Sequence, residues 1–149
     1  MGVDSSDDQH YRALENMYLG APINEFFAPS VDIANGHATV EIDVTPKLFH
    51  AGRAIHGSVY FKMLDDAAFF AASSLEPEYF IVTASFQTYL LRPVTDGKLR
   101  AIGTIASQTK RQFIAEAVVF DAKDREVGRG NGIFMRTQSP WTEIPGYAV

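Results

Sequence analysis

The chain has 149 residues, 46% of them hydrophobic and 21% charged, with a net charge of −5 and no cysteine. That length is one domain's worth and buries enough apolar surface to hold together without staples. Lack of cysteine excludes disulfides, thiolate metal sites and a cysteine nucleophile, and the acidic balance argues against a nucleic-acid binder, which needs clustered Lys and Arg on phosphate.

No apolar run approaches the ~20 residues that span a bilayer. The opening MGVDSSDDQHY lacks the basic-then-apolar layout of a signal peptide. It fits Met-Gly-x-x-x-Ser, ending on Ser6, which would make Gly2 a myristoylation acceptor. So short a pattern matches often by chance, and the stretch is read as an acidic lead-in. No membrane association and a cytoplasmic location are therefore expected. Asp7 and Asp8 cap a predicted helix to about Leu19, with Tyr11, Leu14, Met17 and Tyr18 as its apolar stripe. Gly20 and Pro22 are read as its stop, and the helix as packing without chemistry. Residues 1–25 are thus a lead-in and helix, 26–137 the main domain and 138–149 a tail.

From Phe26 to Val44 the period becomes two. Val31 and Ile33 precede Asn35-Gly36, and Ala38, Val40, Ile42 and Val44 follow, which is a hairpin signature. His37 is read as a solvated strand histidine. Pro46 ends the strand and opens the loop to a strongly apolar helix. That helix starts at His56-Gly57, and the whole stretch runs HAGRAIHGSVYFKMLDDAAFFAASS from His50 to Ser74.

Four strands are predicted after it. In Tyr79–Arg92 the even positions Phe80, Val82, Ala84 and Phe86 are expected inward, with Thr83, Ser85 and Gln87 opposite. Lys98–Gln108, Phe113–Asp121 and Glu126–Arg136 follow, joined by short turns. Short connections predict that these strands are sequential antiparallel neighbours. Gly128, Gly130 and Gly132 bare one face of the last strand for close approach, for which the buried helix is a candidate. Their spacing is not a dinucleotide fingerprint. The tail SPWTEIPGYAV has no period and reads as a surface segment. The fold class is α+β, an antiparallel sheet curved around one long helix.

On a wheel of 100° per residue, Asp66 falls in the solvent arc near Lys62, and the two are read as a structural pair. Asp65 falls at the edge of the apolar face. There, desolvation would raise its pKa and make it a base or nucleophile near neutral pH. The competing reading is a surface ion pair with Lys62, three residues earlier. The first turn, His56-Gly57-Ser58, offers unpaired N–H groups and a positive dipole end, which suit an oxyanion. Ser58 lacks the Gly-x-Ser-x-Gly elbow of a serine hydrolase. His50, His56 and Asp65 match no standard zinc spacing, so no metal is expected.

IHGSVYFKMLDDAAFFAA, then VTASFQTYLLRPV and DGKLRA, resembles the hotdog-fold acyl-CoA thioesterases of the phenylacetate-degradation (PaaI-like) type. That family has an H-G-G start to the central helix, an Asp eight residues after the first Gly, and a strand ending in a Y-L-R-P-like segment. The match runs from about Phe26 to Thr137. It implies a hotdog fold and hydrolysis of acyl-CoA thioesters, with no cofactor beyond the CoA of the substrate. By the same resemblance Gly57 polarises the thioester carbonyl, Asp65 is the catalytic base or nucleophile, His56 lines the site and Thr83 helps to hold the attacking water. It implies a homodimer, the helix start of one chain facing the Asp of the other, and leaves open pairing into a tetramer. Two positions depart from the pattern. Ser58 replaces the second Gly, and His50 stands where relatives often carry Asn. Arg92, Lys110 and Arg111 are candidates for the CoA phosphates, equally readable as solvated turn charges, and Phe61 among the helix aromatics for an acyl pocket. Two other readings are a non-catalytic acyl-CoA-binding hotdog protein and a hotdog dehydratase, the second lacking its expected loop layout.

Overall fold

The computed structural model describes residues 5–149; the acceptor pattern at Gly2 lies outside them. Two helices, α1 (Ser5–Leu19) and α2 (Pro22–Phe27), precede a hairpin of β1 (Ser30–Ala34) and β2 (His37–Asp43). The long helix α3 (Gly57–Ser73) follows, then β3 (Tyr79–Leu90), β4 (Lys98–Gln108), β5 (Gln112–Phe120) and β6 (Glu126–Pro140). The six strands form one antiparallel sheet in the order β1-β2-β4-β5-β6-β3, packed over α3. This is the hotdog fold, α+β as expected.

α3 is buried along Val59, Tyr60, Met63, Leu64, Ala67, Ala68 and Phe70–Ser73. Its alanines let the sheet come close, and Gly103 of β4 completes the approach. A Cβ at Gly103 would overlap the Ala67 carbonyl, so the residue is Gly because backbone meets backbone there. The glycines of β6 do something else. Gly130 and Gly132 seat the Phe86 ring of β3, and Gly128 lies against Tyr60 and Val119. The helix backbone comes closest to the sheet at Gly103; of the bare face of β6, only Gly128 meets the helix, through Tyr60.

Strand neighbours also differ from expectation. β3 pairs with β6, and β4 pairs with β2. The connection from Leu91 to Gly97 runs across the end of the sheet, with Leu91 and Arg92 N–H on the Val127 carbonyl and Val94 buried. Three strand spacings are about 14 Å, and seven extended residues reach over ~20 Å. A short connection therefore does not require adjacent strands.

In β3 a register shift between Thr83 and Ser85 changes the phase of the strand. Before it the odd residue Ile81 is fully buried and Val82 is 41% exposed; after it Phe86 turns inward. A bulge places two residues opposite one, so a strict alternation cannot hold across it. This is why Thr83, expected on the outer face, lies beside α3.

Two terminal segments join the core. α1 packs Tyr11, Leu14, Met17 and Tyr18 inward, and Arg12 and Glu15 bond the Ile33 carbonyl and N–H of β1. The tail is exposed along most of its length, as expected, but Trp141 anchors it in the core. Trp141 is 1% exposed, stacks on Tyr147, and donates its indole N–H to the Glu76 carbonyl at 2.8 Å. An isolated large aromatic carries no periodicity, so the pattern could not reveal its burial. α2 was not expected either. α1 ends at Leu19 ahead of Gly20 and Pro22, as expected, and Pro22 also occupies the first turn of α2, where its missing N–H costs nothing.

Candidate active site

The start of α3 is built by its own cap. The His56 ring accepts the Ser58 N–H at Nδ1 (3.0 Å) and meets Ser58 Oγ at 2.8 Å, while the His56 carbonyl takes the Val59 N–H. That leaves the Gly57 N–H without a protein partner among the described residues. Gly57 lines an open cavity of about 340 Å³ with His50, Ile55, Tyr60, Leu90 and Arg92. A Cβ at Gly57 would press on Leu90 at 3.0 Å. The His50 ring folds over its own loop, where Nδ1 accepts the Gly52 N–H at 2.9 Å. Ser58 is exposed, and its hydroxyl is held by the cap.

Two turns further along α3, Asp65 is half-buried and accepts the Thr83 hydroxyl at 2.9 Å. Burial raises its pKa to about 6; the Thr83 bond opposes the rise and Asp66 adds to it. Lys62 does not pair with Asp65. Its ammonium lies 2.6 Å from Asp66 Oδ2, so the surface-pair reading of Asp65 gives way to the buried one. The Lys62–Asp66 pair is as expected, but it does not stand in open solvent. Tyr18 covers it and donates its hydroxyl to the same Asp66 oxygen at 2.6 Å, leaving Asp66 19% and Lys62 11% exposed.

Asp65 and Thr83 line a second cavity of about 310 Å³, walled by Ile23, Phe69, Phe80 and Val82. Phe61 lies outside both cavities, exposed and edge-on to Phe86. Lys110 and Arg111 line a third with Tyr79 and Arg136. Arg136 is engaged by Glu76 and Glu78, which leaves Lys110 and Arg111 without an ion pair among the described residues. No cluster of three or more potential metal ligands occurs among the described residues.

Gly57 and Asp65 are eight residues apart on one helix, roughly 12 Å at 1.5 Å per residue. They cannot act on one carbonyl within a protomer. Sequence reasoning overlooked the α1–α2 contribution of Tyr18 and Ile23 to the Asp65 cavity. Proline at the first position of a short apolar segment was the only local signal for it.

An antiparallel sheet wrapped on one long helix is the architecture of the hotdog class. The sequence matches the Thioesterase superfamily over residues 52–128, more than half of the chain, and the protein belongs to that family. It is similar to a Saccharolobus solfataricus protein provisionally named an esterase, 22% identical over 103 residues that cover 69% of each chain. Among solved structures it resembles the Escherichia coli PaaI protein of the phenylacetic acid degradation operon, with TM-score 0.80, 20% identity, and 91% of this chain and 99% of that one covered. It also resembles a thioesterase family protein of Silicibacter pomeroyi, with TM-score 0.77, 18% identity, and 87% and 97% covered.

Proposed function

We propose that the protein hydrolyses acyl-CoA thioesters, with Asp65 activating the attacking water or itself attacking, and the Gly57 N–H holding the oxyanion. The observation that carries this reading is the carboxylate of Asp65, raised to about 6 and held by Thr83 at the wall of a cavity. A base with a pKa near the working pH is both largely ionised and basic enough to take a proton from water. As base, Asp65 removes the proton, water oxygen bonds the carbonyl carbon, and the C–S bond then breaks to release CoA thiolate and the acid. As nucleophile, its oxygen bonds the carbonyl carbon and the C–S bond breaks to release CoA thiolate, leaving a mixed anhydride that water opens to the free acid and the Asp65 carboxylate. Either route develops negative charge on the carbonyl oxygen, where a free N–H at a helix start stabilises it.

The separation of Gly57 from Asp65 supports a homodimer. The β1 edge of the sheet is plugged by Arg12 and Glu15, whereas the 12-residue β3 ends the sheet paired with β6 alone. An uncovered edge of that length is a template for another strand. The Asp65 cavity takes Phe80–Thr83 from one end of β3, and the Gly57 cavity takes Leu90 from the other. Antiparallel pairing of two β3 strands about their centre brings Asp65 of one protomer to Gly57 of its partner. Arg92, beside Gly57, and Lys110 and Arg111 are then the cations offered to the CoA phosphates.

The test is a panel of acyl-CoA esters assayed for free thiol with wild type and Asp65→Asn. The Asn variant should lose a hundredfold or more in kcat, in line with removal of a positioned base. Full activity of that variant on every ester cleaved would overturn the assignment.

A further inference from the structure

The cavity holding Asp65 is not closed by sheet and central helix alone. Its outer wall is the corner between α1 and α2, which brings Tyr18, Ala21, Ile23 and Asn24. Ile23, 57% exposed, shares the apolar wall with Phe69, Phe80 and Val82.

The corner is latched to α3. The Tyr18 hydroxyl and the Lys62 ammonium both donate to Asp66 Oδ2, each at 2.6 Å. The ammonium also sits 5.1 Å from the Tyr18 ring centre and 4.9 Å from that of Phe27. Asn24 Nδ2 donates to the Tyr18 carbonyl at 2.7 Å, fixing α2 to the end of α1. Hydrolysis uses none of these groups, yet together they decide where the wall stands.

The charges inside matter as well. The cavity carries two carboxylates, Asp65 and Asp66, and one cation, Lys62, which Asp66 already engages. A substrate carboxylate entering beside them would lose water and meet like charge with no free cation to pair it, and repulsion is strong in a site of reduced dielectric.

We propose that the α1–α2 corner, latched by Tyr18, Asp66 and Lys62, is the acyl-selecting wall of the enzyme, admitting uncharged apolar acyl chains of limited length and rejecting those that end in a carboxylate. This rests on the reading of Asp65 as the reacting carboxylate. Ile23 is the length-setting side chain, and Tyr18 is a positioning residue acting through the wall.

The experiment measures kcat and KM for straight-chain esters from butanoyl-CoA to palmitoyl-CoA, with adipoyl-CoA set against hexanoyl-CoA, the neutral ester of the same length. Wild type, Ile23→Ala, Ile23→Trp and Tyr18→Phe are compared, with circular dichroism to verify folding. Ile23→Ala should move the best chain length upward and Ile23→Trp downward, each by tenfold or more in relative kcat/KM, about the discrimination of a hydrophobic pocket. Tyr18→Phe should broaden the length profile mainly through KM, a split that general destabilisation would not produce. Adipoyl-CoA should be cleaved at least about a hundredfold less efficiently than hexanoyl-CoA. An unchanged profile in folded, active Ile23 variants, or equal cleavage of the adipoyl and hexanoyl esters, overturns the proposal and leaves the Asp65 reading standing. A wild type that cleaves no ester removes both.

Discussion

Asp65 and Asp66 are adjacent in the chain, and what covers each sets its chemistry. Asp66 receives an ammonium and a phenol hydroxyl on one oxygen, which satisfy its charge and tie it to structure. Asp65 receives one neutral hydroxyl, from Thr83, and burial raises its pKa to about 6. The sign of the consequence follows from proton counting. Between the unfolded carboxylate pKa of about 4 and the folded value of about 6, the native state binds more protons, so stability falls as pH rises through that window. Above it the ionised Asp65 destabilises the fold by up to about 3 kcal/mol. Asp65→Asn, which keeps an acceptor for Thr83, should therefore raise the melting temperature at pH 7 and leave it nearly unchanged at pH 4. In wild type, kcat/KM should rise with pH through about 6 and level off above it. A melting temperature lowered by Asp65→Asn at pH 7 would contradict the burial account.

Elements here owe their placement to a few close contacts. α3 lies on the sheet because small residues face small residues, Ala67 against Gly103 above all. Gly103→Ala should destabilise the protein by about 3 kcal/mol, the upper range for overpacking, because the atom in the way is backbone and cannot rotate aside. Chemical denaturation checks it, and a loss below about 1 kcal/mol would mean that the helix yields readily. β3 shows the opposite kind of control. Its bulge after Thr83 shifts the inward phase and turns the Thr83 hydroxyl to Asp65. The hairpin was legible because Asn35-Gly36 is a strong turn between alternating runs, and α3 because its apolar length and His-Gly start are distinctive. The bulge was not, since no residue type at Thr83–Ser85 demands one.

At the scale of the molecule, the two sheet edges are treated differently. α1 blocks β1 through Arg12 and Glu15, while β3 ends the sheet with Val82, Tyr89 and Leu90 exposed along it. Ala84, exposed near the middle of β3, would lie close to the twofold axis of a β3–β3 dimer. Ala84→Glu should place two carboxylates near each other there, and like charges across strands oppose pairing. Light scattering should then report a monomer with unchanged circular dichroism, and thioesterase activity should drop with dimer content. A monomer that remains fully active would refute the shared site.

The sequence by itself determined the fold class, the hairpin, the central helix and its start at His56-Gly57, and it marked Asp65 as the unusual carboxylate. These are local properties, written in periodicity, turn chemistry and one helix's angular arrangement. Tertiary structure alone decided that β3 joins β6, that Trp141 is core, that Tyr18 and Ile23 wall the Asp65 cavity, and that Lys62 serves Asp66. Each of these depends on which distant segments meet, and local pattern carries no record of that.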